Sequence, residues 1–286
     1  MSRNTKRVAT VSAVPPPAAE APAENNNVTE VANRTANTEF VELPSRGMFY
    51  PANHPLRGQE VVEIRYMTAR DEDILTSPTL LQKGLAVDKF IQNILVDQSI
   101  RVDSLLVGDK SAIMVAARIT GYGPDYEGNI KCPECVSESE FAFDLSDYEK
   151  YFNKFEQGEE FQDLNNGTFS IVLPQSGNEV VVRLLTSADE KSILNRQKSK
   201  KKNKLADSQT TDLLKMFIVS IDGVSDPVNL DDMIMNMSAR DSRLLRREYT
   251  KLVPTVKIVE TFDCMFCGTE TEMEVPLEAR FFWPDF

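Results

Sequence analysis

The sequence predicts an α+β fold made of two similar α/β halves, and three observations carry that reading. The same order of motifs occurs twice along the 286 residues. Alternating β-branched segments sit beside segments with apolar residues at helical spacing. All four cysteines fall in two Cys-x-x-Cys pairs, one near the end of each copy. An internal repeat sets the architecture before any single element is assigned.

The elements follow in order. Residues 1–38 are rich in Pro, Ala, Asn and Thr, and poor in large apolar side chains. Such a stretch cannot bury enough surface to offset its ordering entropy, so it reads as a disordered tail. The first half is then 39–160 and the second 161–286. The first opens with "VELPSRGMFYP" and "EVVEIRYMTARDEDIL", the second with "SIVLPQSGNEVVVRLLTSADEKSIL". Each has Leu-Pro, a Gly turn, an alternating strand, then Arg and Thr-x-x-Asp-Glu. Arg65, Thr68, Asp71 and Glu72 match Arg183, Thr186, Asp189 and Glu190 at one constant offset. Thr68 and Thr186 suit helix N-caps, and the acidic pairs suit a first turn. Helical spacing continues through 87–100 and 210–221, and again through 110–120 and 238–252. "GYGPDYEG" at 121–128 reads as a turn, because Pro124, Asp125 and Glu127 would not cradle a phosphate. A basic insertion near 196–209 contains "RQKSKKKNK", which reads as a solvated loop or as a dock for an acidic surface.

The cysteines carry the chemistry. A Cys-x-x-Cys knuckle supplies two metal ligands from a tight turn, and a structural zinc needs four. Cys132, Cys135, Cys264 and Cys267 complete a four-cysteine set, each pair lying between strand-like flanks in a zinc-ribbon-like pattern. The expected cofactor is therefore one structural zinc stapling half to half. Redox dithiols and four free thiols are the alternatives. Neither pair opens a helix after a strand, as a thioredoxin-like dithiol does.

Composition bounds the function. No run of eighteen apolar residues is present, so no membrane span is expected. The net charge of −12 argues against general nucleic-acid binding. The single histidine, His54 in "YPANHPLRG", reads as a surface-loop residue and leaves little from which to build a catalytic pair. No catalytic residue is assigned, and the chain is expected not to be an enzyme. A hydrolase would have only Asp71/Glu72 and Asp189/Glu190 as obvious acids. The aromatic "LEARFFWPDF" stretch suits either core packing or a partner.

The segments "LPSRGMFYP", "MTARDEDIL", "ITGYGPDYEGNIKCPEC", "LLTSADEKSIL", "SIDG", "DSRLLRREY" and "FFWP" together resemble the baseplate hub protein family of contractile-tailed, T-even-type phages. The resemblance covers residues from about 40 to 286. It implies a late viral protein that builds the centre of the tail baseplate, without enzymatic activity. Its partners would be other hub or tail proteins, met in the host cytoplasm during assembly and in the virion tail. The residues leave a second class open, a zinc-ribbon nucleic-acid or transcription accessory protein.

Overall fold

The computed structural model describes residues 37–153, 161–202, 209–275 and 279–282. The tail expected over 1–38 lies outside these residues except at its end, where Thr38 already opens a strand. Strand β1 (Thr38–Glu42) pairs antiparallel with β2 (Val61–Arg65), with Val41 opposite Val62. Both valines are buried, as the two-residue period requires. The Leu-Pro turn closes the base of this ribbon, where Leu43 N–H donates to the Glu60 carbonyl over 2.8 Å.

Three helices follow: α1 (Ala69–Thr76), α2 (Pro78–Lys83) and α3 (Ala86–Ile94). Helix α3 buries Phe90, Ile91 and Ile94 along one face. It ends before the predicted 100, because Leu95 turns extended and bridges Ile64 of β2. Helix α4 (Val107–Tyr122) is buried nearly all round. It runs into the stretch read as a turn, and β3 (Asp125–Lys131) begins directly after Gly123 and Pro124. Strand β3 pairs with β4 (Glu138–Asp144) in a hairpin. A 3-10 turn and β5 (Phe152–Asn153) complete the first half.

The second half builds a four-stranded antiparallel sheet from β6 (Gln162–Asp163), β7 (Thr168–Val172), β8 (Glu179–Arg183) and β9 (Ile218–Ile221), in chain order. Helix α5 (Ser187–Lys202) and helix α6 (Gln209–Phe217) connect β8 to β9. Two expectations are corrected here. The helix predicted over 210–221 stops at Phe217, since β-branched Ile218, Val219 and Ile221 belong to a strand that pairs with β8 instead. The basic stretch predicted as a loop is helical through Lys202, consistent with the good helix propensity of Lys, Arg and Gln. Its remainder, 203–208, lies outside the described residues. Helix α7 (Pro227–Met235), α8 (Ala239–Leu252) and β10 (Thr255–Val256) then lead to the second hairpin, β11 (Val259–Asp263) with β12 (Glu270–Glu274).

The halves interlock. Strand β5 pairs with β10, and Leu106 bridges Thr186 ahead of α4 and α5. Gly108 lies so close to β10 that a Cβ there would stand 1.9 Å from the Pro254 carbonyl oxygen. Lys110 of α4 reaches Asp88 of α3 and Glu190 of α5, each at 2.9 Å. A 3-10 turn at Ala279–Phe282 returns to the first half, where Phe282 meets Phe90 and Phe281 meets Tyr126. Phe281 and Phe282 are therefore core residues. Trp283 and Phe286 lie outside the described residues. Arg118, 1% exposed, holds this turn by donating to the Phe281 carbonyl at 3.0 Å, and also donates to the carbonyls of Gly123 and Asp125.

Candidate metal centre

Each knuckle is made by its hairpin. Strands β3 and β4 leave Cys132–Ser137 as the connecting turn, and β11 and β12 leave Cys264–Thr269. The backbone bonds are the same in both. Cys132 N–H donates to the Ser137 carbonyl and Val136 N–H to the Cys132 carbonyl. Cys264 N–H donates to the Thr269 carbonyl and Gly268 N–H to the Cys264 carbonyl. The amides of Glu134 and Cys135 point at the Cys132 sulfur, and those of Phe266 and Cys267 at the Cys264 sulfur. The first cysteine of each pair is buried and the second exposed.

The two turns face each other. Cys132 Sγ lies 3.7 Å from Cys267 Sγ, and Cys135 Sγ lies 3.6 Å from Cys264 Sγ. All four sulfurs fall within 4.8 Å of one another. A disulfide would need about 2.05 Å, so the cysteines are free thiols. A tetrahedron with metal–sulfur bonds of about 2.3 Å has edges of about 3.8 Å, close to both cross-hairpin distances. The donor set and its spacing thus fit a four-coordinate thiolate-bound metal ion. The Ser137 hydroxyl, and then the Cys267 amide, hold the Cys264 thiol down to about 6, whereas Cys132, although the Cys135 amide pulls it down, is pushed up to about 11 by burial and by the Cys264 and Cys267 thiols. Thiolate is the form that binds metal. Below the sulfurs, Phe141 of β4 packs on Phe262 of β11 with ring centroids 5.8 Å apart, so the hairpins also share apolar surface.

The acids singled out in the sequence sit elsewhere, on helix N-termini. Arg65 grips Asp71 through two bonds of 2.7 and 2.8 Å, and Arg183 grips Asp189 through two of the same lengths. Thr68 caps α1 as expected, in a capping box with Asp71. The carboxylate is the hub of each cap: Asp71 accepts from the Thr68 amide and hydroxyl, and Asp189 from those of Thr186. Glu72 accepts from the Tyr122 hydroxyl, while Glu190 pairs with Lys110. His54 is not a plain surface residue. It stacks on Tyr50 at 4.3 Å, with Nε2 2.8 Å from the Ser104 hydroxyl and Nδ1 accepting from Leu56 N–H.

Sequence reading missed two buried aspartates. Asp109, at the start of α4, accepts from the amide and hydroxyl of Ser45 and from the Tyr50 hydroxyl. Asp241, at the start of α8, accepts from the amides of Gln175 and Ser176. Each ties a Leu-Pro turn to a helix N-terminus. The available signal was their separation, which equals that of the cysteines. Their partners lie on distant loops, which local patterns do not reveal.

Among known proteins, no curated protein and no solved structure matches this chain. One family model does, described as T4 bacteriophage base plate protein, and it matches residues 35–283. That span covers both halves and both knuckles, and the chain therefore belongs to the T4 bacteriophage base plate protein family.

Proposed function

We propose that this chain is a non-enzymatic structural or assembly protein of the baseplate hub, made late, which acts through contacts with other hub or tail proteins. Family membership supports the tail as its place, with assembly in the host cytoplasm. The observation that carries the architectural reading is the convergence of Cys132, Cys135, Cys264 and Cys267 from two hairpins far apart in the chain. A metal held by four protein sulfurs has no position left for water or substrate, so zinc here staples the halves and adds folding free energy. The matched Arg–Asp–Thr caps and matched knuckle bonds support an internal duplication in which each half contributes one hairpin.

The acids that a hydrolase would need are engaged in caps and ion pairs, which supports a non-catalytic role. The exposed carboxylates Glu138, Glu140, Glu270 and Glu272 on the hairpins oppose a nucleic-acid ribbon, because they repel phosphates.

Metal analysis by mass spectrometry on protein purified without added metal tests the staple. One zinc per chain is expected, and Cys264→Ser should lose it and unfold at a lower midpoint. A metal-free, fully folded wild type would overturn the staple. Co-purification with co-expressed tail proteins of the same phage tests the hub role, and failure to capture any of them would overturn it.

A further inference from the structure

The knuckle tips carry side chains that the fold itself does not use. Met265 is 87% exposed, Phe266 69% and Val136 58%. The first two lie between the cysteines of the second knuckle. Val136 directly follows Cys135 in the first, whose sulfur is 3.6 Å from that of Cys264. The three residues therefore sit on facing turns. Isolated exposed apolar residues are common, but here a large Met and Phe are adjacent on one exposed turn and an exposed Val lies on the facing turn.

Val136 adds an independent observation. Its backbone has φ of 60°, the left-handed region in which a β-branched residue is a genuine outlier. The corresponding residue of the second knuckle is Gly268, at φ of 70°, the residue type that this position favours. Burial gives no return for the strain at Val136, since the side chain faces solvent. The knuckle turn imposes this conformation in both copies, so what the fold leaves without a benefit is an exposed Val in place of Gly at that position.

The surroundings define what that side chain meets. Exposed Glu134 and Glu270 rim the tip, and Asp263 stands directly opposite Glu270 in the β11–β12 register, whereas Glu138 faces Lys131 across β3–β4. Like charges directly opposite destabilise a ribbon, and a cationic neighbour would relieve them. We propose that Val136, Met265 and Phe266 form a docking surface for another tail protein, which receives them in an apolar pocket rimmed by Lys or Arg. Phe and Met are suited to such an anchor: Phe supplies a large apolar area, and Met adapts its shape. The acidic rim steers and orients the encounter. This inference rests on the proposed hub role.

The test uses the full-length chain, its four thiols and metal content checked, co-expressed with the other tail proteins of the same phage. Three variants are compared with wild type: a Met265→Ser/Phe266→Ser double, Val136→Gly, and Phe266 replaced by a photo-crosslinking phenylalanine. The double variant is expected to bind its tail-protein partner at least about tenfold more weakly, as for loss of a buried anchor. Val136→Gly should weaken binding while raising Tm by about 1–3 °C, since it removes strain. The crosslink should fall on a tail protein, and raising salt should loosen the complex. Unchanged binding by the double variant would overturn the docking surface and leave the hub role standing. So would a crosslink to nucleic acid or to a second copy of the chain. If wild type captures no tail protein, the hub role fails and this surface fails with it.

Discussion

His54 is the only histidine, so its titration can be followed without interference. Its Nδ1 accepts from Leu56 N–H, which leaves the proton on Nε2, facing Ser104. Ser104 spends its own hydroxyl proton on the Arg101 carbonyl and can accept from the ring. Protonating Nδ1 would set two donors against each other. Partial burial already lowers the pKa below 6.5. A base whose folded pKa is depressed contributes stability above its unfolded pKa and loses it as pH falls. The His54 ring signals in NMR should titrate below 6.5, and His54→Gln should flatten the loss of stability over that acid window. Asp71 behaves in the same sense at lower pH. Burial pushes it up, but the Arg65 guanidinium first, then Thr68 and Asn93, hold it at about 2 instead of 3.8. Its contribution is present above pH 3.8 and fades as pH falls toward 2. Removing it leaves Arg65 without its partner, so Asp71→Ala should cost about 3 kcal/mol in denaturant unfolding. Asp189→Ala should cost less, about 1 kcal/mol, because the Arg183–Asp189 pair is more exposed to water.

Helix α4 shows how an element's surroundings override its propensities. In an open helix, Gly→Ala gains about 1 kcal/mol. At Gly108 the new methyl would meet the Pro254 carbonyl at 1.9 Å, and backbone cannot swing aside as a side chain can. Gly108→Ala should therefore destabilise by about 1–3 kcal/mol, read as a lower urea midpoint with unchanged slope. The same conflict explains which elements were legible from sequence. Strands β2 and β8 and the caps of α1 and α5 announce themselves, because alternation and capping act within a few residues. The knuckles are equally local. The switch from helix to strand at Ile218 was hidden, since "LLKMFIVSI" satisfies both periods and only the edge of β8 decides. The helical run of lysines was hidden for the opposite reason: a block of like charge suggests a loop, while the propensity of each residue favours a helix. Asp109, Asp241 and Arg118 act across long sequence distances and left only faint local signs.

For the whole molecule, the meeting of the four cysteines from two distant hairpins was legible in the sequence, and the structure brings them together. The apolar support was not legible: Phe141 and Phe262 come from different hairpins, and only the fold packs their rings together. This joint support makes a graded response to metal removal the expected outcome. A strong chelator should lower stability by several kcal/mol, measured as a fall in unfolding midpoint, and added zinc should restore it.

Arg118 and the Phe281–Phe282 turn add a consequence in time. The guanidinium and one of its carbonyl partners are separated by 163 positions in the chain. During synthesis, the first half emerges with Phe90 and Tyr126 uncovered and a buried cation lacking one acceptor. It must wait, partly open and sticky, while the ribosome delivers the entire second half. The turn that reaches back is made only after both hairpins, so a translation stall in the second half would leave an aggregation-prone intermediate, not a finished lobe.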